Sequence, residues 1–570
     1  MSYTMKNSFS YFCLGIIALQ YFGCVFNTHL MLVPPLSNYF TFTLCSILLC
    51  ILAVYKYSAC IPTGKLSFLV LLWCIYISVH TLFMVNQADY YIPVYLTCSL
   101  GMYMAFCLLF THDTSLRLKT SSIILTIAFF QSVYCLFQFV GIAESLSPYF
   151  KITGSFSNPN VSAMQIAASL PLFTRIKKHK LLYTGSLLLC FFALLILNCR
   201  TAWIGAAFYI LFNLYTHYEF YLKNVYKRLT LCKKLSVVLL FIGLFIIVSG
   251  FLFQYKQTSS DSRLAIWNQC IEMVGQHPLK GYGYGMFEKE YNLFRPTASQ
   301  VFMAYNDYLE QAVEGGIIGF LFFLIFICWL LTSSIRCKDK IAVCGLWLIA
   351  IMGLFNFIVN AFPVWYLFLF YAASVFIDTN KLYFITIGKK SKAIMLTLFT
   401  IFLFNHGRIA YYQTEAKAHI DKINKNVIDK KHILTLLNDD YTVLDNSPYF
   451  LDAYSHILYY YEEYAEAIPI HIQALNYTST PSIYIRLGKC YRMEKEYTKA
   501  EGAFLTASHI LPSNFESRYL LMSLYGETGQ TKKQADMAYE IIELRPRIPS
   551  KKVKEYKLKA YEIIKEMQQH

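Results

Sequence analysis

Residues 181–198 read LLYTGSLLLCFFALLILN, and Cys199-Arg200-Thr201-Ala202-Trp203-Ile204-Gly205 follows directly. The run carries no charge and is long enough to cross a bilayer as a helix, which needs about 17–25 mostly apolar residues. Read outward from it, the chain repeats the pattern. Further apolar runs lie near 10–28, 37–55, 66–84, 92–111, 121–142, 160–174, 201–216, 235–253, 311–332, 341–360, 362–378 and 393–405. The composition agrees. Of 570 residues, 56% are hydrophobic and 15% charged, with mean hydropathy +0.42. A soluble domain carries roughly 25% charged residues, so one ordinary soluble globule is excluded. The expectation is an all-α, polytopic membrane bundle of twelve or thirteen spans.

Net charge is +16, which in a soluble chain suggests nucleic acid. Here the cations alternate from loop to loop. One set of loops holds clusters such as Arg175, Lys177, Lys178 and Lys180, or Lys223, Lys227, Arg228, Lys233 and Lys234. The short loops of the other set hold only Lys151 and Arg200. The positive-inside rule puts the first set in the cytoplasm, with the N-terminus. An odd number of spans then puts the C-terminal region outside. The charge excess is orientation, and nucleic acid is dropped as a partner. The first span lacks a small-residue cleavage site and reads as a retained anchor. The cysteines show neither a disulfide framework nor zinc spacing.

Two outward segments are large. One loop spans 254–310. The other is the polar region 406–570, set apart from a membrane domain at 1–405. In that region Tyr484, Leu487, Gly488, Tyr491, Ala500, Phe504, Ala507 and Pro512 fall on the large, small and proline positions of a 34-residue helical-hairpin repeat. A second unit starts near Phe515 and an earlier one near Pro448. They resemble tetratricopeptide repeats, which imply an α-solenoid and a protein or substrate docking surface.

The spans are almost free of ionisable residues, which argues against a transporter. The unusual polar residues instead collect at the outer ends of helices. Gly154-Ser-Phe-Ser-Asn158-Pro159-Asn160 precedes the sixth run, with Asn160 placed to cap a helix. Arg200 sits alone at an outer mouth. Asp261-Ser-Arg263-Leu-Ala-Ile-Trp267 opens an amphipathic helix with Arg263 and Trp267 one turn apart. His277-Pro-Leu-Lys-Gly281-Tyr-Gly283-Tyr-Gly285 follows. Tyr305-Asn306-Asp307 then leads to Glu310 and Glu314 at spacings of three and four, on one face of a helix entering the membrane.

In order and spacing these stretches resemble the bacterial O-antigen ligase and polymerase superfamily. The resemblance covers about residues 150–330 in motif detail and the first 380 in architecture. It implies metal-independent, cofactor-free transfer of a glycan from a polyprenyl-pyrophosphate carrier to an acceptor hydroxyl, outside the cytoplasmic membrane. Arg200 and Arg263 match the family's arginines, and an always-charged, bidentate guanidinium suits a pyrophosphate leaving group. Asn158, Asn160, Trp203, Trp267, Gly283 and Asn306 are the implied substrate contacts. Where the family carries a histidine before the Asn, this chain has Tyr305, a poor base at neutral pH. The base is then Asp307, Glu310 or Glu314, or the leaving group dispenses with one. His277 is read as structural. The acceptor stays open among lipid A core, a second carrier-linked glycan (polymerase) and a protein side chain. A transporter of lipid-linked glycans and a non-catalytic scaffold are the readings from other classes.

Overall fold

A computed structural model describes residues 3–26, 30–57, 61–84, 90–228, 254–294, 300–379, 383–424, 430–546 and 550–569. Where no water is present, backbone N–H and C=O groups must pair within their own segment, so charge-poor runs fold as helices. In the membrane region these are α1 Tyr3–Val25, α2 Pro34–Tyr57, α3 Lys65–Phe83, α4 Tyr91–His112, α5 Thr114–Phe139, α6 Pro159–Phe173, α7 Lys180–Leu197 and α8 Arg200–Arg228. Then come α9 Gln257–Gln276 and α10 Phe287–Phe294 in the large loop, α11 Asp307–Ser334, α12 Lys340–Gly353, α13 Phe362–Thr379 and α14 Lys389–Asn424. The rest is α15 Lys430–Leu444, α16 Pro448–Tyr460, α17 Tyr464–Ala474, α18 Pro481–Met493, α19 Tyr497–Ile510, α20 Phe515–Glu527, α21 Thr531–Glu543 and α22 Lys551–Gln569. One pair of three-residue strands, Ile61–Thr63 antiparallel to Tyr383–Ile385, is the departure among the described residues. The all-helical membrane architecture is as expected.

Among the described residues nine helices are long and apolar enough to cross a membrane: α1 to α5, α7, α11, α13 and α14. The expected span at 235–253 lies outside the described residues. The other differences have local causes. The run at 160–174 forms a 15-residue helix, α6, buried along nearly its whole length, with Pro159 at its first turn. The run at 341–360 stays helical only to Gly353. Residues 355–360 leave the helix because their backbone groups are taken by side chains of the loop, as described below. At 393–405 the helix does not stop. α14 continues for 36 residues, about 54 Å at 1.5 Å per residue. The boundary drawn at 405/406 therefore falls inside a continuous helix.

Loops of one charge set meet at one end of the bundle. There the two strands pair, Arg117 lies 3.3 Å from Asp378 and 3.9 Å from Asp339, and Arg175 lies 3.8 Å from Asp339. Loops of the other set meet at the opposite end. There Asn38 donates to the Cys24 carbonyl at 3.1 Å, Ser155 donates to the Val25 carbonyl, and Tyr91 donates to Ser447 at 2.9 Å.

Beyond α14 the helices stack as successive hairpins, α16 on α17, α18 on α19 and α20 on α21, with α22 closing the row. Small residues let the helices approach: a Cβ at Gly488 would meet the Phe504 ring at 2.5 Å. Ala500, Phe504 and Ala507 are fully buried between the helices. This array touches the large loop. Lys289 donates to the Asn476 carbonyl at 3.0 Å, and Thr478 donates to the Glu288 carboxylate at 3.1 Å.

Candidate functional site

Three cations gather where two helices begin. α8 starts at Arg200 and α9 at Gln257. The Arg200 guanidinium reaches across to the first turn of α9 and donates to Ser260 at 2.6 Å and Ser259 at 3.2 Å. One turn further along α9, Arg263 donates to the Phe355 carbonyl at 2.6 Å and lies 5.0 Å over the Tyr305 ring. Lys256, at the cap position of α9, donates to the Asn198 carbonyl at 2.7 Å. Burial holds the Lys256 ammonium below the usual lysine range, and repulsion from Arg200 and Arg263 adds to it. Among the described residues no carboxylate lies within ion-pair distance of Lys256 or Arg263. Helix N-termini carry partial positive charge and unpaired N–H groups. The arrangement brings side-chain cations and helix ends together, the chemistry that can hold an anion.

The carboxylates below it are turned to a different task. Asp307 accepts from the backbone N–H groups of Ile358 at 2.7 Å and Val359 at 3.3 Å. Glu310 accepts from Ala304 N–H at 2.8 Å and the Asn360 amide at 2.6 Å. Glu314 accepts from Gly285 N–H at 3.0 Å and Phe287 N–H at 3.3 Å. All three are buried. They share a face of α11, as their spacing predicts; Asp307 and Glu310 both tie segment 355–360 to that helix, Glu310 also holds Ala304, and Glu314 ties the stretch 285–287. Segment 355–360 is gripped from both sides, by Arg263 at its first carbonyl and by Asp307 and Glu310 beyond it.

The glycine-tyrosine turn docks into a break in α11. Gly316 has φ 62 and ψ −171, which interrupts the helix. Tyr282 N–H donates to the Val313 carbonyl, Gly283 N–H to the Glu314 carbonyl, and Ile317 N–H to the Pro278 carbonyl, at 2.8–2.9 Å. Gly281 (φ 64) packs so closely that a Cβ would sit 2.5 Å from the Glu314 carbonyl. Glycine is required here by both backbone angle and space. His80 of α3 donates from its ring N–H to the Lys280 carbonyl at 2.6 Å and pins the turn to the bundle.

Tyr305 itself has φ 54, a left-handed angle uncommon outside glycine. Its ring lies between the Arg263 guanidinium and Phe357, the latter 5.6 Å away. Burial pushes its hydroxyl above the usual tyrosine range, with Arg263 pulling it back. Asn306 caps α11, accepting from Tyr308 and Leu309 N–H. Trp267 donates to the Ala304 carbonyl at 3.0 Å, which holds the approach to Tyr305 against α9. Trp203 donates to the Leu194 carbonyl at 2.9 Å and packs near Tyr255.

Asn158, not Asn160, caps α6: its side chain accepts from Asn160 N–H at 2.9 Å. Helix entry at Pro159 puts Asn160 inside the first turn, because proline favours the first helical position. The stretch before it is pinned to α5, where Gln138 accepts from Thr153 and Gly154 N–H. The hydrogen bond of Asn158 is therefore local to α6.

Sequence reasoning missed Lys256 and the segment 355–360. Lys256 precedes Arg263 by seven residues, two helical turns, so a face count along α9 finds it. Gly353, Asn356 and Asn360 are the polar and flexible interruptions that mark 355–360 as something other than a span.

The comparison with curated proteins gives no match. A family model described as O-antigen ligase matches residues 185–324. That stretch runs from α7 through the large loop into α11, so Arg200, Lys256, Arg263, Tyr305 and the three carboxylates all lie within the part of this multi-pass membrane chain that is similar to the O-antigen ligases.

Proposed function

We propose that the protein transfers a glycan from a polyprenyl-pyrophosphate carrier to an acceptor hydroxyl at the outer face of the cytoplasmic membrane, as an inverting ligase. The observation that carries this reading is the convergence of Arg200, Lys256 and Arg263 on two helix N-termini at the end of the bundle poorest in other cations. The Lys-rich end is then cytoplasmic, and the site and the helical array are periplasmic. The likeness of residues 185–324 to O-antigen ligases supports the same reaction class.

Here the cations hold the carrier's two phosphates and neutralise the charge that grows as the bond breaks. The acceptor oxygen forms a bond to the anomeric carbon on the face opposite the pyrophosphate. The bond from that carbon to the phosphate oxygen breaks, and its electron pair leaves with the polyprenyl pyrophosphate. The acceptor's proton passes to the departing phosphate oxygens. Tyr305, held between Arg263 and Phe357, orients the acceptor and does not serve as its base. Asp307, Glu310 and Glu314 fix the loop segments that shape the site. The array contacts the same loop through α10, which suits a role in presenting the acceptor.

The test is transfer by the purified, reconstituted chain from a purified lipid-linked donor. Lipid A core, a second carrier-linked glycan and a serine- or threonine-bearing peptide are offered in turn. Product with the first assigns a ligase, with the second a polymerase, and with the third a protein glycosyltransferase. No product with any of them from a folded protein overturns the reading.

A further inference from the structure

At the Lys-rich end, a cavity of about 130 Å³ opens between α6, α8 and α12. Lys177 and Lys340 stand at it, with Tyr209, Asn213, Thr216 and Phe212 among its walls. Its polar side chains are partly spent on their own helix: Asn213 donates to the Tyr209 carbonyl at 2.9 Å and Thr216 to the Asn213 carbonyl at 3.0 Å. The two lysines are not spent. Both are exposed, and among the described residues neither has a carboxylate within ion-pair distance. Asp339, next to Lys340, is already held by Arg117 and Arg175 and caps α12 through Ile341 and Ala342 N–H. Beside Phe212, α8 leaves Leu211 and Leu214 exposed. An uncompensated pair of ammonium groups therefore sits over a half-apolar hollow, at the rim of a helix with exposed leucines.

We propose that this cavity seats the phosphate headgroup of an anionic phospholipid, with Lys177 and Lys340 on the phosphate and the acyl chains along α8. Basic pockets between spanning helices select anionic headgroups because the lysines stay charged and the surrounding low dielectric strengthens their attraction. The proposal stands on this end of the bundle alone and is independent of the transfer chemistry.

Native mass spectrometry of the full chain released from vesicles of phosphatidylglycerol or of phosphatidylcholine tests it. The expected result is retained phosphatidylglycerol that phosphatidylcholine does not replace. Lys177→Gln with Lys340→Gln should weaken retention by about fivefold per lysine removed, and Lys177→Arg with Lys340→Arg should restore it. Lys178→Gln with Lys338→Gln makes the same charge change outside the cavity and should leave retention unchanged. Equal loss in that control pair overturns the site in favour of general surface charge. Undiminished retention in the Lys177/Lys340 pair overturns it outright. Displacement of the lipid by millimolar inorganic phosphate makes the occupant a free anion and overturns the lipid assignment.

Discussion

The two ends of the bundle use arginine in opposite ways. At the Lys-rich end Arg117 and Arg175 meet Asp339 and Asp378, and the charges close the loops on one another. At the other end Arg200 and Arg263 meet hydroxyls and a carbonyl, while the acids close at hand are turned to backbone N–H groups. An arginine paired with aspartate is satisfied in the resting protein. Arg263 rests on a carbonyl, with no carboxylate within ion-pair distance among the described residues, which on the proposed reading leaves its charge for an anion that arrives. On that reading the structural and the functional cation are told apart by what the neighbouring carboxylates are doing.

The comparison breaks first if Arg200 and Arg263 prove structural. Arg200→Ala and Arg263→Ala should each lower transfer about a hundred- to thousandfold, the usual worth of one such electrostatic group, about 3–4 kcal/mol. Arg→Lys should also be damaging, since the planar fork is lost. Lys256→Met should cost about tenfold, or ~1.4 kcal/mol. Arg117→Ala, at the paired end, should leave transfer per folded molecule unchanged. Turnover is measured against the folded fraction. Near-normal rates in both the Arg200 and Arg263 variants would remove the distinction.

A second test separates acids that hold loops from acids that move protons. Asp307→Ala leaves the buried N–H groups of Ile358 and Val359 without an acceptor, at about 1–3 kcal/mol each. It should lower the melting temperature. Asp307→Asn keeps one acceptor and should be milder in both stability and rate. If Asp307→Asn instead melts normally and abolishes transfer, the carboxylate is the base, and the acids at this end do more than position loops.

How much of this was legible beforehand follows the same division. Alternating charge and apolar runs are local properties, so nine of the thirteen expected spans and the sorting of loops to two ends could be read directly. The shared face of Asp307, Glu310 and Glu314 was equally local. Their partners were not: Ile358, Ala304 and Gly285 come from segments separated in sequence, and no spacing rule announces them. The break at Gly316 was hidden for the same reason, because its cause is the turn at 278–283 lodged against it. Lys256 was missed because the motif around Arg263 was read only from Asp261 onward, and not from the residue two turns earlier.

At the paired end, Asp339→Ala should act on stability alone. It removes the cap that Ile341 and Ala342 N–H use, worth about 1 kcal/mol. It also removes part-exposed ion pairs, each worth roughly 0–1 kcal/mol. The expected result is a modestly lower melting temperature, with transfer per folded molecule unchanged. A large loss of transfer at unchanged folding would show that the two ends are coupled, and the division between them would have to be redrawn.

The smallest effect expected is at Glu288, where the large loop meets the helical array. Its carboxylate accepts from Gln300 at 2.6 Å and Thr478 at 3.1 Å, again neutral donors. Burial pushes its pKa above the usual glutamate value, and those two donors pull it back. The joined state therefore binds its proton more tightly than the separated state. The sign follows from linkage: where the folded state holds more protons, stability falls as pH rises. The contribution of Glu288 is complete below the ordinary glutamate value of about 4.3 and fades as pH climbs through the raised one. Hydrogen exchange at residues 476–480, followed from about pH 4 to about pH 7 and corrected for the intrinsic pH dependence of exchange, should show protection declining over that window. Glu288→Gln fixes the neutral form, so its protection should be flat there and the loop-array contact should persist. A decline of equal slope in Glu288→Gln would assign the pH dependence to another group. Protection rising with pH in the parent chain would mean that the ionised carboxylate is the preferred partner of Thr478 and Gln300. Glu288 would then join the paired acids of the opposite end.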